Sequence, residues 1–96
     1  MAEKNSVIYA LGGEIDHHQA AKIRNELDSM IMEERPNILT FDFTNVKFMD
    51  SSGIGLVLGR NRLIAALGGK VEIIGASSSI ERIFKMSGVD KIIKFK

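Results

Sequence analysis

Stretches of strand-type residues alternate with segments of helical period, and that alternation constrains the fold more than any other feature of the chain. Ser6 to Leu11 is rich in Val, Ile and Tyr, Ile38 to Phe43 alternates with a period of two, and Lys70 to Gly75 and Lys91 to Phe95 are again strand-like. Between them, Ala20, Ile23, Leu27 and Met30-Ile31 recur on one face of a helix. Ile54, Val57-Leu58, Ile64 and Leu67 do the same in a second, and Ile80, Ile83 and Phe84 in a short third. Strands separated by helices imply parallel pairs joined by right-handed crossovers, which is an α/β design. Leu39, Phe41 and Phe43 share one face of their strand, while Thr40 and Asp42 share the other with Ile38. A strand buried on both faces reads as an unbroken apolar run, so this half-polar face predicts helices gathered mainly on one side of the sheet.

Local signals set the boundaries. Gly12-Gly13 permits a bend or bulge before a short continuation through Glu14-Ile15, giving a hairpin-like start with antiparallel character. The predicted order is therefore ββαβαβαβ, a mixed β-sheet with packed helices. Asp16 followed by Gln19 is a capping-box pattern for the first helix, and Pro36 ends it. The second helix is expected from about Ser52 to Leu67, stopped by Gly68-Gly69, and the Ser77-Ser78-Ser79 run caps the third. A chain of 96 residues supports one modest core, so residues 1–96 are expected to form a single domain.

Composition removes several function classes. A hydrophobic fraction of 45% with 26% charged residues is ordinary for a globular protein. No apolar run approaches the roughly 20 residues of a membrane-spanning helix, and Met1 to Ser6 lacks the basic-then-apolar design of a signal peptide. A cytoplasmic protein with no membrane partner is expected. The absence of cysteine excludes disulfides and thiolate chemistry. Thirteen basic residues against twelve acidic ones leave a net charge of +1, without the basic excess of a nucleic-acid binder. Lys91, Lys94 and Lys96 read as a solvated strand end.

Chemistry concentrates in Lys47-Phe48-Met49-Asp50-Ser51-Ser52-Gly53-Ile54-Gly55-Leu56, where an apolar segment gives way to a helix. The first turn of a helix carries unpaired N–H groups and the positive end of the macrodipole. A serine there can cap the helix, and a phosphate attached to it would be stabilised. Ser51 thus has two readings from local chemistry, cap or phospho-acceptor. The glycines that follow are spaced GxGxxxG rather than GxGxxG, and no Walker lysine follows, so Gly53 and Gly55 are read as allowing close approach and Gly59 as letting the helix pack on the sheet. Asp16, His17 and His18 do not form a metal site, because adjacent helical residues diverge by about 100° and no third ligand lies at suitable spacing. A hydrolase triad built from Ser51, a histidine and an aspartate lacks the GxSxG elbow. No cofactor, metal or catalytic group is expected, and the chain is not read as an enzyme.

Gly13-Glu14-Ile15-Asp16-His17-His18, Phe48-Met49-Asp50-Ser51-Ser52-Gly53-Ile54-Gly55 and Met86-Ser87-Gly88-Val89-Asp90-Lys91-Ile92-Ile93 closely resemble, in order and spacing, segments of one family. These are the bacterial anti-sigma factor antagonists of the sporulation and stress-response type, small members of the STAS domain family. The resemblance implies that the serine after the aspartate, Ser51, is phosphorylated, with Ser52 the weaker candidate. It also implies a contact surface of Asp16, Met49, Asp50, Ser51, Ser52, Gly53 and Ile54, with Met49 or Ile54 supplying apolar area. The implied partners are an anti-sigma factor with serine kinase activity, which supplies ATP and Mg²⁺, and a serine phosphatase that resets the switch. The rival reading is a STAS subunit of a stress-signalling scaffold or a lipid-transport system. Family members usually continue past the last strand into a further helix, whereas this sequence stops at Lys96: either the native protein is short, with an apolar strip on the sheet or third helix left partly open, or the chain has been trimmed.

Overall fold

The computed structural model describes residues 5–96; Met1–Lys4, on which most of the signal-peptide reading rests, lie outside the described residues. The elements follow in the order β1 (Ser6–Ile15), α1 (His17–Glu34), β2 (Ile38–Met49), α2 (Ser51–Ala66), β3 (Lys70–Ile74), α3 (Ser78–Met86), a 3-10 turn (Val89–Lys91) and β4 (Lys94–Phe95). They build a 4-stranded sheet in the order β1-β2-β3-β4, and each neighbouring pair is parallel. A strand order that simply follows the sequence, joined by right-handed crossovers, returns every helix to the same face.

The α/β class and the one-sided helices agree with the sequence reading. Leu39, Phe41 and Phe43 are buried beneath the helices together with Val71 and Ile73 of β3 and Ile23, Leu27 and Ile31 of α1. The opposite face carries Ile8, 66% exposed, along with half-buried Ile38, Thr40, Asp42 and Ile74. Glu72 is covered even on that face, and the Lys96 ammonium stands 3.2 Å from its carboxylate.

Two expectations need correction. The leading ββ pair is one strand: β1 runs through Gly12-Gly13 with register shifts against β2 between Ala10 and Gly12 and between Gly13 and Glu14. Gly13 adopts φ +70°, and this left-handed residue absorbs a bulge within a parallel ladder instead of reversing the chain, so no antiparallel pair forms among the described residues. The final strand is also shorter than Lys91 to Phe95. Gly88, at φ +79°, starts the 3-10 turn, Val89 and Ile93 anchor it in the core, and only Lys94–Phe95 joins the sheet.

The helix ends follow local chemistry. Asp16 caps α1, its carboxylate accepting the Gln19 N–H at 2.8 Å. Arg35, at φ +46°, closes it just before Pro36, and the Ser77 hydroxyl caps α3 by accepting the Ile80 N–H at 3.2 Å.

Candidate functional site

The site arises from register. Ile15 pairs with Met49 at the ends of β1 and β2, and the Asp50 N–H donates to the Ile15 carbonyl at 3.2 Å. One residue further on, each strand reaches an aspartate that caps a helix: Asp16 for α1 and Asp50 for α2. The two caps therefore stand side by side, and the first helical residues, His17 and Ser51, start their helices at the same level. Both helices point their N-terminal, electropositive ends toward this edge.

Asp50 takes the capping role at α2. Its carboxylate accepts the Ser52 N–H at 2.8 Å, so the cap is the aspartate and not the serine. Ser51 occupies the first helical position, exposed, with its hydroxyl in no hydrogen bond among the described residues. Ser52 is half-buried and faces the groove between the helices. Its hydroxyl is the less accessible of the two.

The remaining predicted contact residues divide. Asp16, Asp50 and Ile54 keep accessible surface around Ser51. Met49 does not: it is 2% exposed and packs beneath Gly53, so its side chain has no surface to offer a partner, a correction to the sequence reading. Gly53 is buried for the same reason, since a Cβ there would fall within the Met49 side chain. Phe48, by contrast, is exposed, 53% accessible. Burial at Phe43, Val46 and Met49 steps by three where β1 and β2 slip in register, and this turns Phe48 outward. Close approach holds for Gly53 but not for Gly55 or Gly59, whose added Cβ atoms would meet nothing within 4 Å.

Alongside Ser52 a cleft of about 300 Å³ opens between α1 and α2, lined by His17, Ala20, Ala21, Arg24, Gly55 and Leu56 as well as the serine. The sequence reading had no role for Arg24. Its signal was present in the spacing, because positions 17, 20, 21 and 24 recur on one helical face. Neither histidine hydrogen-bonds to Ser51, Asp16 or Asp50 among the described residues, so no nucleophile-base-orienter chain is assembled. No group of three or more metal-ligating side chains occurs among those residues, and none of their helices is long and apolar enough to cross a membrane.

A parallel sheet covered on one face, with two aspartate-capped helices presenting a serine at their common edge, defines a small α/β domain. The whole chain, residues 1–96, matches the STAS domain family, and it belongs to that family. It is 36% identical over 87 residues to an anti-sigma F factor antagonist of Paenibacillus polymyxa, covering 91% of this chain and 74% of that one. The structure of the anti-sigma factor antagonist SpoIIAA in its unphosphorylated form superposes with a TM-score of 0.85 at 32% identity, covering 100% of this chain and 84% of that one. SpoIIAA of Bacillus in the phosphorylated form gives 0.75 at 32% identity, with 100% and 86% covered.

Proposed function

We propose that this chain is a phosphorylation-controlled anti-sigma factor antagonist. Unphosphorylated, it binds an anti-sigma factor that is also a serine kinase and thereby releases a sigma factor; phosphate on Ser51 ends the interaction. The chain itself performs no catalysis, ATP and Mg²⁺ belong to the partner, and a serine phosphatase restores the hydroxyl. The observation that carries this reading is the state of Ser51, exposed at the start of α2 and relieved of capping by Asp50. A hydroxyl with no structural duty can be modified without loss to the fold. Relatives named as anti-sigma F factor antagonists, and a relative solved in both phosphorylated and unphosphorylated forms, support the same role.

The contact surface on this reading is Asp16, Asp50, Ser51, Ser52 and Ile54 with the exposed face of Phe48, residues 1–96 acting as one unit. A phosphate adds about −1.5 to −2 charges at neutral pH. A partner surface fitted to a neutral hydroxyl then meets desolvation and repulsion, which at a buried interface cost several kcal/mol. Incubation with the recombinant anti-sigma kinase and Mg-ATP, followed by intact-mass measurement and peptide mapping, tests the assignment. One phosphate on Ser51, absent from Ser51→Ala, is the expected result; phosphate on Ser52 alone, or undiminished uptake by Ser51→Ala, overturns it.

A further inference from the structure

The cleft between α1 and α2 has two properties that nothing inside this chain requires. The first is its emptiness. Glycine within a helix costs about 0.5–1 kcal/mol relative to alanine, and Gly53 has a reason for it in Met49. Gly55 has none, since a Cβ there would meet no atom within 4 Å. With Ala20 and Ala21 opposite, it leaves room that an internal side chain could have filled.

The second property is charge. Arg60, Lys85 and Lys96 each have a carboxylate within ion-pair reach, namely Asp28 at 2.8 Å, Glu81 at 3.6 Å and Glu72 at 3.2 Å. Arg24, like Lys22, Arg62 and other surface cations, has none among the described residues, but it alone of these lines the cleft. Asp28, one turn further along α1 and the natural partner at that spacing, is engaged by Arg60 across the helix pair. Glu26 is taken by the Tyr9 hydroxyl at 2.7 Å. The cleft is thus rimmed by an unpaired guanidinium, the His17 imidazole and the Ser52 hydroxyl, a donor set suited to a carboxylate.

We infer that this cleft receives an aspartate or glutamate side chain of the anti-sigma factor, with Arg24 as the residue that reads it. The inference rests on the binding reading above and adds what that reading lacks, a reason for partner choice. The cleft lies beside Ser52, next to the phospho-acceptor, so a phosphate on Ser51 would bring like charge toward the seated carboxylate. The same acid that confers specificity then makes the complex sensitive to phosphorylation.

Calorimetric titration of the recombinant anti-sigma factor into wild type, Arg24→Glu, Arg24→Lys and Gly55→Leu tests this. Arg24→Glu and Gly55→Leu are expected to weaken binding by about tenfold or more, and Arg24→Lys by less, while circular dichroism stays at wild type. In a scan of acidic-to-lysine substitutions on the partner's contact face, one is expected to weaken wild type and restore Arg24→Glu. Binding of Arg24→Glu within about twofold of wild type, or a loss that no partner substitution repairs, overturns the inference while leaving the switch intact. Failure of wild type itself to bind overturns the switch reading, and the cleft assignment falls with it.

Discussion

A methyl group added at Gly53 would strike Met49, which lies fully buried with Ile15 behind it, whereas the same group at Gly55, two residues on, would project into open space. Gly53→Ala is therefore expected to destabilise the protein by about 1–3 kcal/mol through overpacking. Gly55→Ala is expected to be neutral or to stabilise it by up to about 1 kcal/mol through helix propensity. Urea unfolding of the two variants checks the contrast, and Gly53→Ala combined with Met49→Ala should lose less stability than the sum of the two single losses, because removing Met49 removes the obstructing atoms. Tyr9 supplies a second test at this scale. Burial, with added contributions from the hydrogen bond to Glu26 and that carboxylate's charge, pushes its hydroxyl from the ordinary 10.0 up to about 12. The folded state thus keeps this proton longer than the unfolded chain does. The contribution is intact below pH 10 and is lost as pH rises from about 10 to about 12. Tyr9→Phe should show a shallower fall in unfolding midpoint across that window than wild type.

At the scale of elements, α3 and β4 are tied to the sheet by an aromatic series: Phe41 to Phe43 at 6.5 Å between ring centroids, Phe43 to Phe84 at 5.5 Å and Phe84 to Phe95 at 5.4 Å, each edge to face. Phe84 is fully buried at the centre of the series, so Phe84→Ala should cost about 3–5 kcal/mol, read as a fall in the thermal midpoint. Arg35 invites the opposite change. It holds φ +46° at the end of α1, where glycine carries no steric penalty, and its N–H to Ile31 at 2.8 Å survives substitution. Arg35→Gly should stabilise the protein by about 1 kcal/mol. These elements also show what the amino-acid string reveals. Helix boundaries were legible because Asp16, Pro36, Ser77 and Gly68-Gly69 act through neighbours in sequence. Whether Gly12-Gly13 would bulge or reverse depended on the partner strand, and the short β4 depended on Val89 and Ile93 reaching a distant core. The meeting of Asp16 with Ser51 was legible because adjacent parallel strands end in register with the same offset to their helices. The helical spacing of positions 17, 20, 21 and 24 shows that they share a face of α1, but that this face meets α2 at Gly55 and Leu56 depends on two helices packing side by side, which no local pattern encodes.

For the whole molecule, the question is whether a charge at Ser51 reaches the fold or only the surface. With a net charge of +1, added anionic charge meets little global self-repulsion, so its effect is local. At the first position of α2 the helix dipole favours an anion by about 0.3–1 kcal/mol, and the neighbouring Asp50 carboxylate opposes it. Beneath the site, Ile15, Met49 and Val57 are sealed in the core and make no use of the Ser51 hydroxyl. Ser51→Asp should therefore unfold within about 5 °C of wild type, since 1 kcal/mol corresponds to about 4–8 °C for a domain of this size. Its circular dichroism should be unchanged while binding to the anti-sigma factor is lost. A large drop in the midpoint would mean that the charge acts by melting the start of α2 instead of by repelling the partner. Unchanged binding with an unchanged midpoint would mean that one carboxylate is too weak a substitute for phosphate or that the contact surface lies elsewhere. Titration with protein phosphorylated stoichiometrically on Ser51 separates these two cases, because only a surface that includes Ser51 responds to the full dianion.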